Sequence, residues 1–247
     1  MKKTGLILCV AAAVLCGFSL AGCASSKIEK DSISPLAVIT VAGNNGLPWY
    51  VLTKDGAEPS ANKGLLQNAI SNKFFDENPE YASSYNRLDY AEDAMRRIFN
   101  DVAGIEFVDK ETVTSSKKYK GMNQGMLSAL NTTITATGYR DLRSPNGFDM
   151  KKLCAEVGAK GCVVLDFEFF KKTTTGTSIS GEAVPYVKMR VKMYDSTGKE
   201  IKYKSYKLQG SESIKIKGRK YDEEAFVAMY PEVIDQLLTQ AALEFVN

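Results

Sequence analysis

Few side chains in this sequence have types and spacings suited to chemistry. Asp166 and Glu168 form the clearest carboxylate pair. They stand two apart on an expected strand, so they share one face, and paired carboxylates can act as general acid and base. Beside a lysine-rich neighbouring strand the same pair reads more simply as charge pairing. Histidine is absent from all 247 residues. That removes Ser-His-Asp and Cys-His nucleophiles and every metal site built on imidazole. GxGxxG, P-loop and CxxC motifs are absent too. No catalytic residue, metal ligand or cofactor is assigned, and the chain is not expected to be an enzyme.

Binding surfaces are better represented. Lys188, Arg190 and Lys192 alternate with Val187, Met189, Val191 and Met193. Lys202 and Lys204 alternate with Ile201 and Tyr203, and Lys215 and Lys217 with Ile214 and Ile216. If these strands are neighbours, seven cations share one sheet face. Such a face would attract anionic lipid headgroups, anionic glycans or an acidic protein, at roughly 1 kcal/mol per lysine near an anionic membrane. The plainer alternative is a solvated face whose lysines discourage edge pairing. Trp49, with Pro48 and Tyr50, lies in the loop that follows the first strand, where α/β sheets often place ligands. Trp49 and Tyr50 could anchor a partner or stack on sugar there, or simply cap the core.

The start of the chain carries the most specific signal. Lys2-Lys3 precede an uncharged apolar run, Gly5 to Leu20, and then Leu20-Ala21-Gly22-Cys23. A basic start, a short apolar core and a small-residue cleavage site make a secretory leader. The run is short for a membrane span, which takes about 20 apolar residues. Its last four residues resemble the lipobox of bacterial lipoproteins. That resemblance implies cleavage before Cys23, a lipid on the Cys23 thiol, and acylation of the new amino terminus. Two or more acyl chains hold a protein stably on a membrane where one does so only marginally. Ala24 follows the cysteine, which by analogy with Gram-negative sorting points to the periplasmic face of the outer membrane.

Residues 1–22 are accordingly read as leader, 23–34 as a polar tether, and 35–247 as one domain. Lys+Arg number 32 and Asp+Glu 29, so loss of Lys2 and Lys3 leaves the charge almost balanced. Balance and export together argue against nucleic acid as a partner. The distribution is uneven: Lys171 to Lys220 holds thirteen Lys/Arg against four Asp/Glu, and Tyr221 onward is purely acidic. With Cys9 and Cys16 lost in the leader and Cys23 lipidated, Cys154 and Cys162 remain. An oxidising envelope could join them, or they stay buried thiols.

The elements that position these residues follow from periodicity. Leu36 to Val41 is a continuous apolar, β-branched run, expected as a buried strand. Leu88, Ala91, Met95, Ile98, Phe99 and Val102 recur at helical spacing up to Gly104. Ile105 to Val108 reads as a strand, Met122 to Thr135 as a helix weakened by threonines, and Phe148 to Val157 as a helix ended by Gly158. Cys162 to Phe170 is a strong strand. The alternating strands above follow it, with a turn at Asp195 to Gly198. Asp222 opens the last helical segment, which Pro231 kinks or restarts, and Val233 to Phe245 carries its apolar stripe. The expected fold is α/β (α+β), a mixed sheet in the order β-α-β-α-β-β-β-α with helices mainly on one face, and inserts at about 54–87 and 112–147.

The segment Leu153-Cys154-Ala155-Glu156-Val157-Gly158-Ala159-Lys160-Gly161-Cys162-Val163-Val164 resembles a helix, Gly-Ala, strand signature. It belongs to the CsgG-like and TolB amino-terminal-like envelope domains, a group that includes lipoprotein activators of peptidoglycan synthases. The likeness covers about Leu36 to Phe245, loosely, and this chain departs from it in its inserts. It implies a domain that docks other envelope proteins or assembles with them and does not catalyse. No segment here matches a pore-forming one.

Overall fold

The computed structural model of the protein describes residues 28–52, 56, 58–59, 84–124 and 133–246. Cys23, the leader and most of the 54–87 insert lie outside the described residues. A single helical turn, α1 (Lys30–Ile33), precedes β1 (Leu36–Asn44). Ile33 is buried beside Gly161, so folded structure begins inside the stretch read as tether. Next come α2 (Ser84–Ala103), α3 (Lys110–Ser115), α4 (Lys117–Gly121), β2 (Thr133–Thr135) and α5 (Gly147–Val157). The second half holds β3 (Gly161–Gly176), β4 (Ser180–Asp195), β5 (Glu200–Gln209), β6 (Ile214–Lys217), α6 (Glu223–Val227) and α7 (Tyr230–Val246).

These strands make one mixed sheet in the order β2-β1-β3-β4-β5, with β6 paired to the far end of β4. β1 and β3 run parallel, as a crossover through helices requires, and every other pair is antiparallel. The architecture is therefore α+β, as the alternating first half and meandering second half imply. All nine residues of β1 are buried, because β1 is an inner strand with helices over both faces. That explains its unbroken apolar run.

Alternation along β3 and β4 sorts the two faces. Val163, Leu165, Phe167 and Phe169 pair with Met193, Val191, Met189 and Val187 on the face beneath α2 and α7. The apolar stripes of those helices are buried as their spacing predicts: Leu88, Ala91, Met95 and Phe99 on α2, and Val233, Ile234, Leu237, Leu238 and Ala241 on α7. Pro231 sits in the first turn of α7, where its missing N–H costs nothing. The shorter α4 and α5 pack together against the opposite face.

Two local expectations are corrected. Ile105 to Val108 is not a strand: only Phe107 bridges to Leu36, with Val108 N–H donating to the Leu36 carbonyl. Four residues between a glycine at φ 62 and the Asp109 cap of α3 leave no length for a ladder. Met122 to Thr135 does not end as a helix. Thr133–Thr135 is β2, antiparallel to β1, and β-branched threonines suit a pleated edge better than a helix.

At one end of the sheet the β4–β5 turn is held by Asp195, whose carboxylate accepts from the Thr197 and Lys199 N–H groups. Gly198 has φ +83, and a Cβ there would lie 1.8 Å from the Gly147 carbonyl oxygen, so α5 begins directly against this turn.

Candidate functional site

The sheet face away from α2 and α7 gathers most of the charged residues that the sequence singles out. Register sets Asp166 opposite Arg190 and Glu168 opposite Lys188. The Arg190 guanidinium donates to Asp166 Oδ2 at 2.7 Å and to Glu168 Oε1 at 3.0 Å. Arg143, from the loop before α5, stands 3.7 Å from Asp166 Oδ1 and is itself chelated by Asp141 at 2.8 and 2.9 Å. Lys192 caps the Arg143 carbonyl at 3.1 Å. Lys188 and Lys207 share the Glu58 carboxylate at 3.2 and 2.7 Å, and Lys188 also donates to the Pro59 carbonyl.

Electrostatics follow this geometry. Burial pushes the Asp166 carboxyl above its ordinary value, opposed by Arg190 and Arg143. Its Oδ1 is buried without a hydrogen-bond donor. Glu58, more exposed, is held down at about 2 by its hydrogen bond from Lys207, against burial and with help from Lys188. The carboxylate pair is thus a clamp for Arg190, and the face carries closely balanced charge.

The expectation of seven cations on one face is corrected. The β4–β5 turn sets a register that would place Lys202 beside Lys192. One extra residue, Ile201, enters between the Tyr194–Glu200 and Met193–Lys202 pairs. A one-residue bulge sends every following side chain of the strand to the other face. Lys202 and Lys204 therefore lie beside α7, where both pair with Glu244, Lys202 at 3.2 Å. Tyr206 donates to the same carboxylate at 2.9 Å. Lys188, Arg190 and Lys192 keep the shared face. Lys215 and Lys217 sit opposite Glu182 and Ser180, on the exposed extension beyond β5.

The loop after β1 returns alongside β3. Trp49 bridges to Lys171, whose N–H donates to the Pro48 carbonyl while the Tyr50 N–H donates to the Lys171 carbonyl. Lys171 is buried with its ammonium 4.8 Å from the Trp49 ring and 3.2 Å from the Tyr221 hydroxyl. Tyr50 joins Phe170 and Tyr186 in a small aromatic cluster, edge-on to Phe170 at 5.7 Å. Burial, then Tyr186 and Glu58, push the Tyr50 hydroxyl well above its usual range. Both aromatics close the far end of the sheet and remain half-buried.

Cys154 on α5 and Cys162 on β3 come together, Sγ to Sγ 3.2 Å, both buried and both thiols. Their shared hydrogen bond and burial push the Cys162 thiol well up.

A further polar cluster escaped the sequence reading. Glu92 on α2 is buried, pairs with Arg96, accepts from the Tyr139 hydroxyl at 2.9 Å and faces Lys110 at 3.6 Å. The i, i+4 spacing of Glu92 and Arg96 was a visible signal; their burial under Tyr139 was not. Glu58 and Arg143 lay in loops with no pattern to mark them. Among the described residues no group of three His, Cys, Asp or Glu could hold a metal ion, and no helix is long and apolar enough to cross a membrane.

No family model and no curated protein matches the sequence. Among solved structures the chain is similar to the LpoB C-terminal domain from Salmonella enterica, at 14% identity over 71% of this chain and 82% of that one, with a TM-score of 0.28. It is also similar to lipoprotein GNA1162 from Neisseria meningitidis, at 14% identity over 82% of this chain and 97% of that one, again with a TM-score of 0.28. Superpositions this loose carry no functional inference.

Proposed function

We propose that this chain is a bacterial envelope lipoprotein, anchored through Cys23 at the periplasmic face of the outer membrane, whose α+β domain is a non-catalytic binding or assembly module for other envelope proteins. The observation that carries the reading is Leu20-Ala21-Gly22-Cys23 at the end of a basic-then-apolar leader. The domain's chemistry agrees with it. The one candidate carboxylate pair is engaged by Arg190 and Arg143 and is not offered to a substrate. The second reading, a basic face for anionic lipid or glycan, loses force because Lys188 and Arg190 spend their charge on Glu58, Asp166 and Glu168, while Lys202 and Lys204 face the other way.

The test is the mature amino terminus. Mass spectrometry of protein purified from membranes is expected to find a chain that starts at an acylated Cys23. Cys23→Ala is expected to lose labelling by palmitate and retain residues 1–22. A native chain that starts elsewhere, or a bare Cys23, overturns the proposal.

A further inference from the structure

The anchor reading has a geometric consequence that rests on it. Only four residues lie between Cys23 and Ile28, a reach of at most about 18 Å even fully extended. The folded chain entered there is rooted at one pole of the sheet. Ile33 lies against Gly161, Gly161 pairs with Asp195, and the Asp195–Gly198 turn abuts Gly147 at the start of α5. At this same pole Phe148 is 65% exposed, with the Lys152 ammonium 4.0 Å from its ring centroid. Lys151 on α5 and Lys199 beside the turn are exposed as well, and exposed Lys160 donates to the Asp31 carbonyl at 3.1 Å. Asp149 and Glu156, the carboxylates of α5, are already held by Lys118 and by the backbone N–H groups of Lys117 and Lys118. Glu29, Asp31 and Glu200 are exposed acids of this end, as are Glu106, whose backbone is bonded to Ser34 and Leu36, and Glu156 on α5.

We infer that this pole, with Phe148 and Lys152 on α5 and the β4–β5 turn beside them, rests on the bilayer that holds the Cys23 lipids. An exposed aromatic with a lysine ammonium over its ring suits a headgroup interface, where the ring enters the apolar boundary and the ammonium meets phosphate. The opposite end, with Trp49, Tyr50 and the β3–β4 turn, then projects away. Lys171 lies ten positions along β3 from Gly161, about 33 Å of extended strand. That end is left for protein partners.

Brominated-lipid quenching tests the orientation on the acylated full chain, in vesicles of phosphatidylethanolamine and phosphatidylglycerol with dibrominated chains. Trp49, the only native tryptophan, reports the far end. Phe148→Trp adds a reporter at the proposed contact. The expected result is unchanged Trp49 emission in the native protein and loss of most of the emission gained in the variant, with Lys152→Glu weakening that loss. Acylation is verified first by mass spectrometry. On an acylated chain, an unquenched reporter at 148, or equal quenching of Trp49, overturns the orientation and leaves Phe148 to a protein partner. A bare Cys23 overturns the anchor itself, and this inference with it.

Discussion

Replacing Arg190 by Met separates a structural clamp from a free basic surface. Met keeps an unbranched apolar stem and removes the guanidinium. Two contacts go, at 2.7 Å to Asp166 and 3.0 Å to Glu168. At an effective dielectric near 20, charge centres about 4 Å apart attract by about 4 kcal/mol each, most of it offset by desolvation. Breaking a buried pair costs about 3–5 kcal/mol, because the partner is left uncompensated. The Arg190 side chain is 35% exposed, so screening lowers the expected cost to about 2–3 kcal/mol. For a domain of this size that is about 5–10 °C in Tm. The pH dependence has a definite sign. A carboxyl raised in the folded state, as Asp166 is, loses stability as pH rises through its folded value. Arg190 opposes that rise, so its removal should cost least at acid pH, where Asp166 is protonated, and the full amount at neutral pH. Urea unfolding of Arg190→Met at both pH values, alone and with Asp166→Asn, measures this; the double variant should recover part of the loss. A cost under about 0.5 kcal/mol at neutral pH, or one equal at both pH values, refutes the clamp and returns Arg190 to the solvent-facing ribbon.

Mild oxidation is expected to join Cys154 and Cys162 within one chain, seen as two thiols lost to titration after unfolding. The closed loop of nine residues should add about 2–3 kcal/mol, and Cys162→Ala should abolish the gain; thiols that persist under oxidant count against it. Glu92→Gln is expected to cost about 2 kcal/mol at neutral pH, since a charge-assisted network to Arg96, Tyr139 and Lys110 is lost. Burial works to raise the Glu92 carboxyl, but Arg96, Tyr139 and Lys110 outweigh it and hold it low, so its contribution exists above the ordinary glutamate range and fades as pH falls through the folded value. Thermal melts of both proteins should therefore converge in acid, and parallel curves would rule the cluster out as the source.

What the sequence by itself determined is whatever depends on local period and on single residues. Continuous apolar character marked β1, spacing of three and four marked α2 and α7, and strict alternation marked β4; each survives because burial, of both faces in β1 and of one in the others, is a local pattern that the chain must carry wherever it folds. The absence of histidine and the run ending at Cys23 are of the same kind. Tertiary structure decided everything that depends on register and on distant partners. Whether Lys202 lies with Lys192 or beside Glu244 turns on one extra residue, Ile201, which composition cannot reveal. Whether Asp166 and Glu168 stand ready or engaged depends on Arg143 and Arg190, 23 and 24 residues from Asp166 in sequence yet within 3.7 Å in space. An ion pair is a property of positions, and positions across a sheet are fixed only when the strands meet.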